Sequence, residues 1–273
     1  MKKMDKEGDH MYLLKRFPLV LAALISCFTF SWTAAAGDTA PPAQPKPKHL
    51  VAFVIDDFGN NMAGTEDILN LPVPLTVAVM PFMPSTKHDA ELAHQKGHDV
   101  FVHMPMEPVK GKRSWLGPGA ITTDLSDEEI RQRVEKAIDD VPHAIGMNNH
   151  MGSKVTADER IMRIIMSVVK KRGLIYLDSK TTDKSVAGKI AEEMGVPHAE
   201  NRIFLDDVYS VPHITKQMEK ICKLIGNHPL CIAIGHVGPP GKKTASVLRQ
   251  YIPRIQKEAE FVTISQLIHQ VGH

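Results

Sequence analysis

Residues 49–59 read HLVAFVIDDFG, an apolar run that ends in two adjacent carboxylates, Asp56 and Asp57. The apolar part, residues 50–55, is too short for a helix and rich in valine. This pattern predicts a strand buried on both faces, as in a parallel sheet. Successive strand residues point to opposite faces, so the two carboxylates share a site only if the strand has turned. One would then hold a metal while the other takes a proton. The alternative is that one caps the next segment and the other is solvated.

Strand and helix patterns alternate along the rest of the chain, which predicts a parallel sheet with helices outside it. About eight such units over about 225 residues fit a distorted or incomplete (β/α) barrel of about seven to eight parallel strands. A doubly wound open sheet is the alternative. Gly59 stands alone after the first strand, without the glycine pattern that binds phosphates.

The first 36 residues have the three parts of a secretory signal peptide. Lys15 and Arg16 precede an apolar run over residues 17–32, and small residues follow at 33–37. We expect cleavage near Ala36, a Pro-rich linker over residues 37–48 and one barrel domain over residues 49–273. The mature protein would be periplasmic or secreted, without a transmembrane segment. A lipoprotein acylated at Cys27 and an uncleaved anchor are less favoured alternatives.

The charge of the chain limits the partners to be expected, and its cysteine content limits the disulfide bonds it can form. The chain carries 33 Lys and Arg against 31 Asp and Glu. The excess lies in the leader, so residues 37–273 carry 28 of each sign. No basic field argues for nucleic acid binding. Cys222 and Cys231 remain after cleavage. They could pair in an oxidising compartment, but two buried thiols are slightly favoured.

Six predicted strands end in a carboxylate or an imidazole. In a barrel these ends share one face, where active sites are built. A mixture of carboxylates and imidazoles suits a divalent metal such as zinc, with a position left open for water. The residues at these strand ends are Asp56, Asp57, His103, His150, Asp178, Asp206, Asp207 and His236.

The same segments resemble motifs of the polysaccharide deacetylase superfamily, specifically its divergent polysaccharide deacetylase branch. A superfamily strand ending Thr-Phe-Asp-Asp-Gly is matched by VIDDFG at residues 54–59. A strand after Gly-His-Glu, ending His-x-x-x-His, is matched by GHD at 97–99 and HMPME at 103–107. An Arg-x-Pro motif is replaced by NNHMGS at 148–153, and a late strand ending in histidine is matched by IAIGH at 232–236. The resemblance covers roughly residues 49–265.

This resemblance implies roles for individual residues. Asp56 would be the general base, His236 the general acid, and Asp57 a metal ligand. His103 matches the first metal histidine of the superfamily, and Glu107 stands where the second would be.

His150 is expected to supply the imidazole missing at position 107, because it ends a strand on the same face and zinc usually takes more than one nitrogen. Glu107 would be a fourth ligand, or a group that orients an imidazole. We expect substrate contacts from Asn149, Asp178, Asp207 and Trp115. Trp115 would be a platform for a sugar ring, although a role as a loop-anchoring hydrophobe is as well supported.

The activity implied is removal of N-acetyl groups from an envelope polysaccharide by a hydrolase that depends on a divalent metal, with zinc as the expected metal. An alternative is a non-catalytic envelope protein that binds a glycan or a protein partner on the same barrel. A third, weaker hypothesis is a metal-dependent hydrolase that cleaves a peptide or an ester.

Overall fold

The computed structural model describes residues 49–271, which form nine parallel strands and eight α-helices within that range. The signal peptide and linker expected over residues 1–48 lie outside the described residues. The strands are β1 His49–Phe58, β2 Thr76–Val79, β3 Asp99–Met106, β4 Ala144–Met151, β5 Ile175–Asp178, β6 His198–Glu200, β7 Ile203–Phe204, β8 Leu230–His236 and β9 Ala259–Phe261. The helices are α1 Thr65–Leu69, α2 Thr86–Gln95, α3 Asp127–Asp140, α4 Glu159–Lys171, α5 Ala187–Met194, α6 Val211–Ile225, α7 Gly241–Ile255 and α8 Ile264–Val271.

The strands form one curled sheet in the order β6-β5-β4-β3-β2-β1-β8-β7, with β9 paired to the start of β1. Within residues 49–271, no ladder joins β6 to β7, so the curl is a half-barrel that stays open at that seam. The expected distorted (β/α) barrel is therefore confirmed. The apolar run of β1 lies at its centre, between β2 and β8.

The alternation of strand residues divides the apolar side chains between two cores. The outer core fills the space between the sheet and the helices and includes Val51, Phe53 and Ile55 of β1. The inner core lies inside the curl and includes Ala52 and Val54 of the same strand. Both faces of β1 are thus buried, which explains its nearly continuous apolar sequence.

Two features close the inner core at the amino-terminal ends of the strands. Helix α8 begins where the backbone N–H of Ile264 donates to Thr76 Oγ1 at 2.9 Å and that of Ser265 donates to Asp99 Oδ2 at 2.8 Å. The ring of Phe101 lies where a side chain at position 146 would stand, so Gly146 is needed for β3 and β4 to pack around it. The polar ends of the strands are consequently left at the opposite, carboxyl-terminal face.

Helix α3 begins at a local sequence signal, a serine followed three residues later by a glutamate. Ser126 caps α3 in a reciprocal capping box with Glu129. No helix among residues 49–271 combines the length and apolar character needed to cross a bilayer.

Candidate active site

The inner face of the sheet changes from apolar to polar at the carboxyl-terminal ends of β1 and β8. Ala52 and Val54 point into the inner core, and Asp56 follows them at the same two-residue period. On β8, Ile234 points into the same core and His236 follows it. Asp56 and His236 are partners in the β1–β8 ladder. They therefore lie side by side at the mouth of the half-barrel.

Strands β3 and β4 bring the second pair of polar groups. Phe101 belongs to the inner core, and His103 follows two residues later. His103 is the ladder partner of Asn148, and His150 comes two residues after Asn148. His103 and Asn148 are fully buried, whereas His150 is partly exposed.

A turn at the end of β1 places Asp57 on the same side as Asp56. Asp57 has a φ of 71°, in the left-handed region that non-glycine residues rarely adopt. The register of β1 against β2 shifts between Ile55 and Phe58. The two adjacent carboxylates therefore face one site, as the sequence requires if they are to work together.

Helix α2 holds this turn in place. The backbone N–H of Gly59, whose φ is 111°, donates to Asp89 Oδ2 at 2.8 Å. The same oxygen accepts from Ser85 Oγ at 2.9 Å, and Asp89 is almost fully buried. A Cβ at position 59 would lie 2.8 Å from the carbonyl oxygen of Met80, so only glycine fits there without a shift.

Asp57, His103 and His150 form a group that can hold a metal ion. Asp57 Oδ1 lies 3.3 Å from His103 Nε2 and 3.1 Å from His150 Nδ1. The two imidazole nitrogens are 3.1 Å apart. Among the described residues, these three form the one group of histidine, cysteine and carboxylate ligands with atoms within 4.8 Å of one another.

The hydrogen bonds around the two imidazoles leave lone pairs facing the centre of this group. His103 Nδ1–H donates to Asn148 Oδ1 at 2.8 Å, and His150 Nε2–H donates to the Trp115 carbonyl oxygen at 3.3 Å. The nitrogens that face each other are then both acceptors. Asp57 Oδ1 is buried beside them, with no donor in hydrogen-bond geometry. Three converging acceptors require a positive charge between them, so the donor set fits a divalent cation.

Asn148 connects the metal-binding group to the predicted base. Its Nδ2 donates to Asp56 Oδ1 at 2.9 Å, while its Oδ1 accepts from His103. Ser179 Oγ lies 3.3 Å from the same Nδ2. One buried amide therefore fixes both the position of Asp56 and the tautomer of His103.

Asp206 orients His236 from the other side. Its Oδ1 accepts from His236 Nδ1–H at 2.7 Å. Its Oδ2 accepts from the His236 backbone N–H at 2.9 Å and from Thr244 Oγ1 at 2.6 Å. With Nδ1 held by Asp206, Nε2 of His236 is the nitrogen left to exchange a proton.

The electrostatics of the site separate the two aspartates. Burial raises the pKa of Asp56, and the cationic forms of His103 and His236 only partly offset it. Burial would also raise the pKa of Asp57, but the adjacent imidazoles of His103 and His150, when they carry a proton on the nitrogens that face it, hold that pKa well below its usual range. Asp57 is thus the permanent anion, and Asp56 is the one more easily protonated.

His103, which is buried, and His236, whose side chain is 25% exposed, both bind protons more tightly than usual. Burial opposes the charged imidazole, but Asp56 and Asp57 raise the pKa of His103. The hydrogen bond to Asp206, with Asp57, outweighs burial and raises the pKa of His236 to about 9.

Glu107 is not brought to the metal-binding group. Its Oε2 accepts from the backbone N–H and the hydroxyl of Thr123, at 2.8 and 2.9 Å. Its Oε1 pairs with Lys154 Nζ at 2.8 Å. The side chain therefore ties the long β3–α3 loop to the segment after β4.

Two expected substrate contacts are engaged within the protein. Asn149 is buried: its Nδ2 donates to the Met151 carbonyl oxygen at 2.7 Å, and its Oδ1 accepts from the backbone N–H of Ser179 at 3.0 Å. Asp178 is also buried and accepts from the Lys180 backbone N–H at 2.8 Å and from Ser185 Oγ at 2.6 Å. Both side chains hold the turns after β4 and β5.

The other two expected substrate contacts are exposed at the mouth of the half-barrel. The Trp115 side chain is in a short 3₁₀ turn, and the residue is 59% exposed. The Asp207 side chain is 56% exposed and pairs with His213 Nε2 at 2.6 Å.

The sequence patterns predict no individual role for Asn148 or Asp206, although both residues lie in segments that end at the candidate site. In each case the signal is the two-residue period of a strand, which places alternate side chains on the same face of the sheet. Asn148 lies two residues before His150, and Asp206 lies two residues after Phe204, which packs against the inner core.

Comparisons with known proteins identify a family for this chain, whereas its chemistry has to be inferred from the geometry of the site. A family model described as divergent polysaccharide deacetylase matches residues 53–268. An uncharacterized protein of Haemophilus influenzae is 34% identical over 254 residues, which are 93% of this chain and 83% of that protein. The uncharacterized protein YibQ of Escherichia coli is 33% identical over 220 residues, 81% of this chain and 67% of that protein. The crystal structure of an uncharacterized protein from Agrobacterium tumefaciens has a TM-score of 0.75 at 19% identity, covering 83% of this chain and 92% of that one. At that identity the likeness shows the fold alone.

Proposed function

Because the chain belongs to the divergent polysaccharide deacetylase family, we propose that it is an exported, metal-dependent hydrolase that removes N-acetyl groups from an envelope glycan. One observation carries the proposal. A candidate base, Asp56, and a candidate acid, His236, are ladder partners beside the Asp57–His103–His150 group. Amide hydrolysis needs these three functions within reach of one bond.

Zinc is the proposed metal, because two imidazoles and one carboxylate with an open position are a typical catalytic zinc donor set. When bound, the cation would polarise the acetamido carbonyl and lower the pKa of a water towards about 7. Asp57, His103 and His150 would be the ligands. Glu107 would act only through the loops it joins.

Asp56 is proposed to take the proton of the attacking water. The Asn148 amide fixes Asp56 Oδ1 at 2.9 Å, and Asp56 Oδ2 lies 3.6 Å from His103 Nε2. Asp56 therefore faces the metal-binding group without being among its three ligand residues. Burial raises its pKa and so makes the carboxylate a better proton acceptor.

His236 is proposed to protonate the departing amine. Its pKa of about 9 keeps the imidazole charged at neutral pH. The Asp206 carboxylate balances that charge and holds the ring by Nδ1 at 2.7 Å. The proton to be donated is then the one on Nε2.

The test combines metal analysis with an acetate-release assay on N-acetylated glycans. Purified full-length protein should contain about one zinc per chain and release acetate. Asp56→Asn should retain the metal and lose acetate release, because it removes a base and no ligand. Wild-type protein that binds zinc but releases no acetate from any N-acetylated glycan would exclude the hydrolase.

One observation favours the non-catalytic alternative. Glu107 occupies the position of the second metal histidine in the superfamily motif, and its carboxylate is held by Thr123 and Lys154. The same experiment decides between the two functions, since a binding protein would retain glycan affinity while releasing no acetate.

Export is proposed from the pattern of residues 1–36 and has its own test. Sequencing the amino terminus of protein isolated from an envelope fraction should give a mature chain that begins near Gly37. An intact leader, or a lipid on Cys27, would exclude this proposal.

A further inference from the structure

A cavity of about 510 Å³ lies in the wall of the half-barrel, at the seam between β6 and β7. Only Asn201 and Arg202 link these two strands. Strand β7 pairs with β8 at Ala233 and Ile234 alone, so within residues 49–271 the earlier part of β8 has no strand beside it on that side. The sheet is therefore incomplete at this point, and we call the opening the seam cavity.

The apolar part of the seam cavity is aliphatic. It reaches the inner core, because three of its side chains belong to that core and are buried. Among the described residues that line it there is no Phe, Tyr or Trp, so it offers no aromatic face on which a ring could stack. Its volume is in the range of pockets that hold small molecules. The larger aliphatic side chains are Leu50, Leu230, Ile232, Leu267, Ile268 and Val271.

The seam cavity is separate from the candidate active site. Ile232 precedes His236 by four residues of β8, which corresponds to about 13 Å along the strand. Helix α8, which closes the amino-terminal side of the inner core, forms another part of the wall. A molecule in the seam cavity would therefore not touch the metal-binding group.

Three of the four polar side chains that line the seam cavity are engaged within the protein. Glu200 Oε1 lies 3.4 Å from Lys180 Nζ. Asn201 Nδ2 donates to the Ser179 carbonyl oxygen at 3.2 Å. The ring of His198 is hydrogen-bonded to the backbone at 3.1 Å. The carboxylate that lines the cavity is thus already balanced by a lysine.

The fourth polar side chain, that of Arg202, is exposed. Within residues 49–271 no carboxylate forms an ion pair with its guanidinium. Its backbone N–H donates to the Ile232 carbonyl oxygen at 3.2 Å, which fixes Arg202 at the edge of the cavity. Its positive charge lowers the pKa of the neighbouring Cys231 thiol, although burial raises that pKa to about 11. An unpaired guanidinium beside an aliphatic cavity is complementary to a carboxylate at the end of an apolar chain.

We propose that the seam cavity binds one free fatty acid, with its chain among the aliphatic side chains and its carboxylate at Arg202. The single unpaired cation favours a ligand with one negative charge. The inference is independent of the proposed hydrolase, because none of the residues that line the cavity belongs to the candidate active site.

Calorimetry on full-length protein tests the proposal with octanoate, decanoate and laurate, each below its micelle concentration. About one molecule should bind per chain. Affinity should rise by about fourfold for each methylene added until the cavity is full. Dodecanol has the same chain as laurate without the charge and should bind about tenfold or more weakly, because it loses the charged hydrogen bond.

Two variants at the edge of the cavity test its role, each with a matched control. Arg202→Gln should lower laurate affinity by about tenfold or more and leave dodecanol affinity unchanged. Its control is Arg249→Gln, an exposed arginine of α7. Val271→Asp adds a negative charge at a residue that is 42% exposed and should lower laurate affinity at least as much. Its control is Val109→Asp, at a residue that is 69% exposed in the loop after β3.

Thermal melts check that all four variants are folded. Absence of saturable laurate binding by the wild type overturns the inference. Wild-type laurate affinity in both Arg202→Gln and Val271→Asp overturns it as well, since the binding would then come from another apolar segment, such as residues 17–32. Binding to vesicles of an anionic phospholipid that laurate does not displace, without saturable laurate binding, would identify a membrane surface as the ligand and equally overturn the inference.

Discussion

Replacing Asp206 with asparagine should lower the pKa of His236 without removing any group that touches the substrate. The carboxylate accepts from His236 Nδ1–H at 2.7 Å and from the His236 backbone N–H at 2.9 Å. It is fully buried, so solvent screens this interaction little. The amide is neutral and keeps only one acceptor oxygen, so the charged imidazole loses its main partner.

The size of the effect follows from the hydrogen bonds. The pKa of His236 is raised from 6.5 to about 9, with Asp206 as the largest favourable contribution and Asp57 and Asp56 adding to it. A hydrogen bond to a charged group contributes about 1.5–3 kcal/mol, which lowers a pKa by about 1 to 2 when it is lost. His236 in Asp206→Asn should therefore titrate at about pH 7–8.

The assay is an NMR titration of the histidine ring protons in metal-free protein, with the His236 signal assigned by its loss in His236→Gln. Asp207→Asn is a matched control, because that exposed carboxylate pairs with His213 at 2.6 Å. It should leave the titration of His236 unchanged. A thermal melt of Asp206→Asn checks that the variant is folded.

A titration midpoint of His236 that lies within about 0.3 pH of the wild-type midpoint would refute this prediction. So small a change is less than the loss of any hydrogen bond to a charged group would produce. A folded Asp206→Asn variant with wild-type acetate release above pH 8 would equally remove Asp206 from the mechanism.

Three further predictions concern the same site. Asp57→Ala and His103→Ala should each lower bound zinc by about tenfold or more by elemental analysis, whereas Asp56→Asn should retain it. Asp89→Asn should weaken zinc affinity by about tenfold although it touches no metal, because it loosens the turn that aims Asp57. The pKa of His236 is raised on folding, so this residue should make the wild-type protein up to about 3 kcal/mol more stable below pH 6.5 than above pH 9. Urea unfolding across this pH range should show a loss of stability that the His236→Gln variant lacks.

Each of these has a result that would contradict it. Full zinc occupancy in both ligand variants would mean that the metal lies elsewhere. For Asp89→Asn, Glu91→Gln on the exposed side of the same helix is the control, and equal zinc affinity in the two would remove the role of the turn. A pH dependence of stability shared by wild type and His236→Gln would assign it to other groups.

The distorted or incomplete barrel, and the face that carries the candidate site, could be predicted from the sequence because both depend on local patterns. The apolar run of β1 and the polar ends of the strands are visible without any long-range contact. The partners of Glu107 could not be foreseen, since Thr123 lies 16 residues away and Lys154 lies 47 residues away. The choice between Asp206 and Asp207 depends on a one-residue register in a two-residue strand, where the alternation is weakest.

The turn at Asp57 shows a second limit on what can be predicted from the sequence. Gly59 signals a bend, but its direction is set by Asp89 and Ser85, which lie about 30 residues further along and reach it only in the folded chain. The same limit applies to Asn149 and Asp178, whose polar side chains mark strand ends but hold backbone turns.

The shared amide of Asn148 restricts how this site changes during evolution. The Asn148 side chain donates to Asp56 and accepts from His103. A substitution at position 56 that removes the acceptor oxygen therefore frees the amide to move, and this movement disturbs the position of the His103 imidazole. Lineages that lose catalysis but keep the metal should therefore retain an oxygen at position 56, with asparagine as the simplest route. Loss of that oxygen should be followed by change at 148, so these positions should covary among relatives that have abandoned the reaction.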